Sequence, residues 1–171
     1  MSRNFITKFI FISFISVIIT RIIPHPPNFT SAVAVMFYLP ALFGLKFLFV
    51  PFSAFLISDL FIGFHHLIFF TWGSFLLIGL ISKYFKNFYF RFLGISLSCL
   101  LFFILSNFGV WIFTNTYNHN FSGLVKCYIM GLPFLQNSIF SSIAFAAIIE
   151  FLISMNSVKS YIARINASLS Y

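Results

Sequence analysis

The chain has very few charged residues, and acidic residues are the scarcest of all. Of its 171 residues, ten are Lys or Arg and two are Asp or Glu, so 7% are charged while 61% are hydrophobic. Soluble domains carry about 25% charged residues. Twelve charges cannot cover the surface of a soluble protein of this length, and the same composition excludes a disordered chain, a coiled coil and a disulfide scaffold. We therefore interpret the chain as an integral membrane protein.

Sequence motifs for common enzymes are also missing. There is no G-x-x-x-x-G-K-[ST], no G-x-S-x-G and no zinc-protease motif, so we expect neither ATP hydrolysis by a P-loop nor a hydrolase of a familiar kind. The two cysteines, Cys99 and Cys127, show no paired metal spacing, and we expect no disulfide between them. We expect the chain not to be an enzyme and to hold no cofactor.

Long apolar runs dominate the sequence instead. A spanning helix needs about 20 residues, and the runs are continuous, whereas the strands of a β-barrel alternate. The pattern predicts an all-α, polytopic bundle of six transmembrane helices in one domain over residues 1–171. The predicted helices cover residues 5–23, 29–44, 47–64, 67–82, 92–113 and 137–155. Residues 121–134 are predicted to form a separate interfacial or re-entrant segment, which Pro133 ends.

The distribution of basic residues predicts the orientation. Lys and Arg usually mark cytoplasmic loops, and a cytoplasmic N-terminus places eight of the ten inside and only Arg21 and Lys126 outside. The eight are Arg3, Lys8, Lys46, Lys83, Lys86, Arg91, Lys159 and Arg164. They are scattered between apolar runs, so we expect no nucleic-acid partner. We predict a multi-pass protein of the bacterial inner membrane with both termini in the cytoplasm.

Polar residues gather near the predicted outer ends of the helices. An intramembrane carboxylate is costly unless it is paired or faces a cavity, so we expect Asp59 to contact a ligand or to pair with Arg21. The proline-rich residues 24–30 form a stiff turn that presents His25 and Asn28. The four histidines lack a fixed ligand spacing, so a metal site stays an alternative. The predicted binding residues are Arg21, His25, Asn28, Asp59, His65, Asn107, Trp111, Lys126 and Asn137. In this interpretation Arg21 and Lys126 hold anionic groups, and Trp111 stacks on the ligand.

Four segments carry a family resemblance. They are R-x-x-P-H-P-P-N-F-T at residues 21–30, S-D-x-x-x-G-F-H at 58–65, S-N-F-G-V-W at 106–111 and C-Y-x-x-G-L-P-F-x-x-N at 127–137. Together they resemble a family of uncharacterised bacterial six-helix membrane proteins. That family is similar to the substrate-binding S components of energy-coupling factor (ECF) transporters, and the resemblance covers about residues 21–151.

The resemblance implies a function. S components are small six-helix proteins that capture vitamins, their precursors or metal ions, and dock on a membrane coupling protein and two ATPases. By position, Ser13, Ser16 and Thr20 on the first helix would contact the coupling protein, although small residues also pack helices within a bundle. Our leading hypothesis is a substrate-binding subunit for uptake of a small vitamin-like or cofactor-precursor molecule. The alternatives are a membrane scaffold or assembly protein that binds a protein partner, and a metal-ion uptake subunit.

Overall fold

The computed structural model describes residues 2–155. Their backbone consists of helices joined by irregular connections, with no strand in that range. Within this range six α-helices and one 3₁₀ turn follow one another, which confirms the predicted all-helical fold with six helices. They are α1 (Ser2–Ile22), α2 (Ala32–Phe43), the 3₁₀ turn Leu45–Leu48, α3 (Phe49–Ile62), α4 (Ile68–Ser82), α5 (Phe88–Phe113) and α6 (Phe121–Ser154).

In the part of the chain that the structure describes, three helical stretches are long and apolar enough to cross a membrane. They are the continuous segment Leu45–Ile62, α5 and α6, while α2 and α4 are shorter apolar helices. At about 1.5 Å per residue, α5 and α6 extend over roughly 39 and 51 Å, against a hydrocarbon core about 30 Å thick. These lengths support the interpretation of the chain as a membrane protein.

Helix α2 lies at the centre of the bundle. Eleven of its twelve residues are buried, and it contacts α1, α3, α4, α5 and α6. A helix that is apolar on every side is stable only when other elements surround it. Phe37 and Tyr38 are fully buried with edge-to-face ring packing between them, at a centroid separation of 5.4 Å. The core therefore forms around α2, and the longer helices form its wall.

Helices α5 and α6 pack antiparallel along most of their length. The Tyr128 hydroxyl donates to the Ile104 carbonyl at 2.9 Å, and the Cys99 thiol lies 3.5 Å from the Ser138 carbonyl. The expectation that residues 121–134 form a separate segment is wrong, since α6 runs unbroken through Pro133. Proline removes one backbone hydrogen bond, and the contacts with α5 before and after Pro133 hold the helix together across that gap.

Two helix starts differ from the predicted ones for identifiable reasons. Helix α5 begins at Phe88, four residues early, because Arg91 lies within it and donates to both carboxylate oxygens of Glu150 on α6, at 2.6 and 2.9 Å. Helix α2 begins at Ala32, three residues late, because the preceding loop continues past Asn28, whose φ is +63°.

The alternating helices divide the polar residues between two ends. We call the end that holds residues 23–31, 63–67 and 114–120 the site end, and the other the basic end. Lys8, Lys46, Lys83 and Lys86 belong to the basic end by their positions along the helices and connections. Lys159 and Arg164 lie outside the described residues.

Candidate functional site

A buried ion pair joins α1 to α3 at the site end. Arg21 Nη2 lies 2.6 Å from Asp59 Oδ1, and the two side chains are 13% and 1% exposed. Arg21 Nη1 also donates to the Phe55 carbonyl at 3.0 Å and to the Ser58 hydroxyl. The guanidinium carbon lies 3.7 Å from the centre of the Phe55 ring, a cation–π contact. Of the two roles expected for Asp59, the pairing with Arg21 is the one that the structure shows.

Trp72 on α4 supplies a second hydrogen-bond donor to Asp59. Its indole Nε1 donates to Asp59 Oδ2 at 2.7 Å, so each carboxylate oxygen has its own donor. A buried charge is tolerated only when it is paired and hydrogen-bonded. Asp59 therefore connects α1, α3 and α4, and it fixes the position of the Arg21 guanidinium.

The loop between α1 and α2 is held by the last helix. Asn137 Nδ2 donates to the Pro27 carbonyl at 3.0 Å, and the Ser141 hydroxyl approaches the Asn28 carbonyl at 3.4 Å. Asn28 adopts a left-handed backbone, which Asn tolerates better than most residues. With three prolines in the loop, these contacts give it a defined conformation. Asn137 thus acts on the loop backbone.

The small polar residues of α1 also contact this loop. Ser13 is buried, and Ser16 Oγ and Thr20 Oγ1 lie 3.2 and 3.1 Å from Ser31 Oγ. The backbone N–H of Ser31 donates to Thr20 Oγ1 at 3.1 Å. Of the two roles expected for this stripe, packing within the bundle is the one observed. A partner protein would have to contact α1 on another face.

A cavity of about 300 Å³ lies beneath the α1–α2 loop. Four separate segments supply its polar lining, namely the end of α1 with its loop, the α3–α4 connection, α4 and α6. The lining residues are Arg21, His25, Asn28, Thr30, Val33, Phe55, Ile62, His65, Thr71, Phe75, Phe102 and Ser138. We call this cavity the main cavity.

A second cavity of about 230 Å³ adjoins the main cavity. The two share Asn28, Thr71 and Phe102 as lining residues. Asn107 lines the second cavity, and its Nδ2 donates to the Phe103 carbonyl one turn earlier at 2.8 Å. Gly131 makes room for this amide, since a Cβ at that position would lie 2.5 Å from Asn107 Oδ1. We call this cavity the side cavity.

The predicted binding residues thus separate into three sets. Arg21, His25, Asn28 and His65 line the main cavity, and Asn107 lines the side cavity. Asp59 and Asn137 lie behind this surface and hold Arg21 and the loop. Trp111 and Lys126 line neither cavity.

Trp111 and Lys126 lie elsewhere for local reasons. The Trp111 indole donates to the Asn118 carbonyl at 3.0 Å, and its ring packs edge-to-face against His119 with centroids 5.8 Å apart. Trp111 therefore closes the turn between α5 and α6. Lys126 is exposed on α6 because its side chain points away from the α5 contact that buries Cys127. The ligand stacking expected of Trp111 and the anion contact expected of Lys126 therefore do not fit the main cavity, which neither residue lines.

Sequence reasoning missed several residues of the site. Trp72 holds Asp59, and Thr71, Phe75, Phe102 and Ser138 line the main cavity. A buried carboxylate needs a donor for each oxygen, which would have suggested a second partner for Asp59. No spacing in the sequence connects residue 59 with residue 72.

Metal-ligating side chains do not converge in the part of the chain that the structure describes. Within residues 2–155 no three of the His, Cys, Asp and Glu side chains are arranged to hold a metal ion. Cys99 and Cys127 are both free thiols and buried.

Comparison with known proteins yields one family. A model described as a family of unknown function, DUF6580, matches residues 2–163, and the chain therefore belongs to that family. No curated protein and no solved structure matches it.

Proposed function

We propose that this DUF6580 protein is the substrate-binding membrane subunit of an uptake transporter, which captures a small vitamin-like or cofactor-precursor molecule in the main cavity. One observation carries the proposal. Four residues that the sequence predicts for binding, from the end of α1, the α1–α2 loop and the α3–α4 connection, line one cavity of about 300 Å³. Ligand pockets fall in the range of about 300–1,000 Å³ and combine apolar walls with a few polar groups.

The architecture around the cavity supports ligand capture. Asp59 holds Arg21 at 2.6 Å, and Asn137 holds the loop through the Pro27 carbonyl at 3.0 Å. Both contacts fix groups of the cavity before any ligand arrives. Such preorganisation lowers the entropic cost of binding and so favours affinity.

The charge distribution supports an outward-facing cavity. Lys8, Lys46, Lys83 and Lys86 belong to the basic end, and cytoplasmic loops are enriched in Lys and Arg. In this proposal the basic end and both termini face the cytoplasm of a bacterial cell, and the main cavity faces outward. Labelling of single-cysteine substitutions in intact cells with a membrane-impermeant maleimide tests the orientation. Lys126→Cys should react and Lys83→Cys should not, and the reverse pattern would contradict it.

Energy for transport would come from a partner in this proposal. The chain carries no P-loop motif, so a membrane coupling protein with ATPase subunits would drive the release of substrate into the cell. Because Ser16 and Thr20 bind Ser31 within the bundle, the partner would dock on other surfaces of the helices.

The experiment that tests the proposed function is ligand identification after gentle purification. We expect mass spectrometry of the protein in nanodiscs to detect one stoichiometric small molecule, which His65→Phe reduces. His66→Phe is the matched control, since His66 neighbours His65 but does not line the main cavity. An empty protein that instead co-purifies with a stoichiometric protein partner unrelated to ATPases would overturn the proposal and favour the scaffold alternative.

A further inference from the structure

The main cavity carries no net charge. Among residues 2–155, Arg21 is the one permanently charged residue that lines it, and Asp59 lies 2.6 Å behind the guanidinium. The Arg21 Nη atoms already donate to Asp59, to the Phe55 carbonyl and to Ser58. An anionic ligand would have to compete with a carboxylate that the fold holds in place, and the charge of that carboxylate would repel it. The charge balance favours a neutral ligand.

The backbone contacts of two histidines that line the cavity favour opposite tautomers. His25 Nδ1 lies 2.6 Å from the Ile23 carbonyl, and a carbonyl only accepts, so this Nδ1 carries the proton. His65 Nδ1 instead accepts from the Leu67 backbone N–H at 3.2 Å, so its proton is on Nε2. In the neutral rings, His25 Nε2 is then an acceptor and His65 Nε2–H a donor. The cavity therefore offers one imidazole of each kind.

Three aromatic rings also line the cavity, and the Arg21 guanidinium stacks on one of them, Phe55, at 3.7 Å. Phe55 and Phe75 have ring centroids 4.3 Å apart, and Phe75 and Phe102 lie 5.0 Å apart with an interplanar angle of 33°. All three rings line the main cavity. Such a surface favours a flat aromatic ring over an aliphatic group of equal size, because aromatic pairs gain energy beyond the area they bury.

We infer that the main cavity selects an uncharged aromatic heterocycle that carries both a hydrogen-bond donor, for His25 Nε2, and an acceptor, for His65 Nε2–H. This inference rests on the proposed function and specifies the class of substrate. It also revises the role expected for Arg21. Because the Arg21 charge is neutralised by Asp59, an anionic group on the ligand is disfavoured.

Matched probes test the inference on the full chain in nanodiscs. Nicotinamide is neutral and aromatic, with a donor and an acceptor on its amide. Nicotinate replaces that amide with an anion, and cyclohexanecarboxamide replaces the aromatic ring with an aliphatic one. Trp72 serves as the fluorescent reporter because its indole binds Asp59 next to Arg21, and Trp111→Phe, at a position outside both cavities, removes the second indole signal.

We expect nicotinamide to bind at least tenfold more tightly than either analogue. His65→Phe should weaken nicotinamide binding at least tenfold, and His66→Phe should leave it unchanged. Asp59→Asn, which leaves the Arg21 charge uncompensated, should shift the preference toward nicotinate. Equal or tighter binding of nicotinate by the unmodified site, or no Trp72 response to nicotinamide at millimolar concentration, would overturn the inference.

The co-purified molecule separates this inference from the proposed function. A bound carboxylate, phosphate or aliphatic compound that His65→Phe releases would overturn the inference and leave the proposed function standing. A protein that holds no small molecule and responds to none of the three probes would overturn both. A bound neutral heterocycle, displaced by nicotinamide, would support both.

Discussion

Replacement of Asp59 by Asn tests whether the Arg21–Asp59 pair organises the site end. The substitution keeps the shape and an acceptor for the Trp72 indole, but it removes the charge that compensates Arg21. Removing one partner of a buried ion pair costs about 3–5 kcal/mol. Because the Arg21 side chain is 13% exposed and borders a cavity that water can enter, we expect the lower end of that range, about 3 kcal/mol. For a chain of this length, that corresponds to a melting temperature lower by roughly 6–12 °C.

The assay is thermal unfolding of the purified variants in one detergent, with a double-mutant cycle. Arg21→Gln combined with Asp59→Asn should lose less stability than the sum of the two single losses, by about 1–3 kcal/mol, because the residues are in direct contact. Lys126→Gln changes one charge at an exposed position and should stay within about 0.5 kcal/mol of the parent. An Asp59→Asn variant that melts with the parent, or a cycle in which the losses simply add, would refute the reasoning.

Three further predictions follow from other contacts. Glu150→Gln leaves the Arg91 charge unpaired between α5 and α6, so we expect a fall in melting temperature comparable to that of Asp59→Asn. Ligand affinity should stay unchanged, because the cavity lies at the other end of the bundle. Loss of binding would contradict that assignment. Asn28→Ala should destabilise by about 1 kcal/mol because φ is +63°, whereas Asn28→Gly should cost less in the same melting assay. Gly131→Ala should cost about 1–3 kcal/mol because its Cβ would lie 2.5 Å from Asn107 Oδ1. Gly73→Ala, with open space around its Cβ, is the helix control and should be neutral or slightly stabilising.

Much of the fold follows from the sequence because its signals are local. Continuous apolar runs interrupted by Pro24, Pro26 and Pro27 or by Lys83 and Lys86 predict the number of helices. The chain reverses direction at each connection, so the polar residues sort onto two ends before any side chain is placed. The same reasoning gave the Arg21–Asp59 pair as one of two alternatives for Asp59, since both residues fall near the same end of their helices.

Non-local contacts explain what the sequence could not predict. Pro133 is a helix breaker by local rules, and α6 continues through it because α5 packs on both sides of it. From the local sequence alone Arg91 resembles a loop residue. In the structure it lies inside a helix because Glu150, 59 positions later, neutralises its charge within the bundle. Trp111 and Lys126 fall at the site end, yet the direction of each side chain depends on its rotation around the helix axis, which packing decides. Polarity and depth in the membrane therefore predicted the end of the bundle that holds the cavity and its lining by Arg21, His25, Asn28 and His65, but not its lining by α4, α5 and α6.

The contacts of the α1–α2 loop have a consequence for biosynthesis. The groups that hold Pro27 and Asn28, Asn137 and Ser141, lie 110 and 113 positions later in the chain. The ribosome has therefore delivered five helices to the membrane before the helix that fixes the loop exists. Under the proposed function, a binding-competent cavity forms only after that last helix is in place. A chain released early would sit in the bilayer with its first loop unanchored, and its cavity would lack the wall that Ser138 and α6 supply.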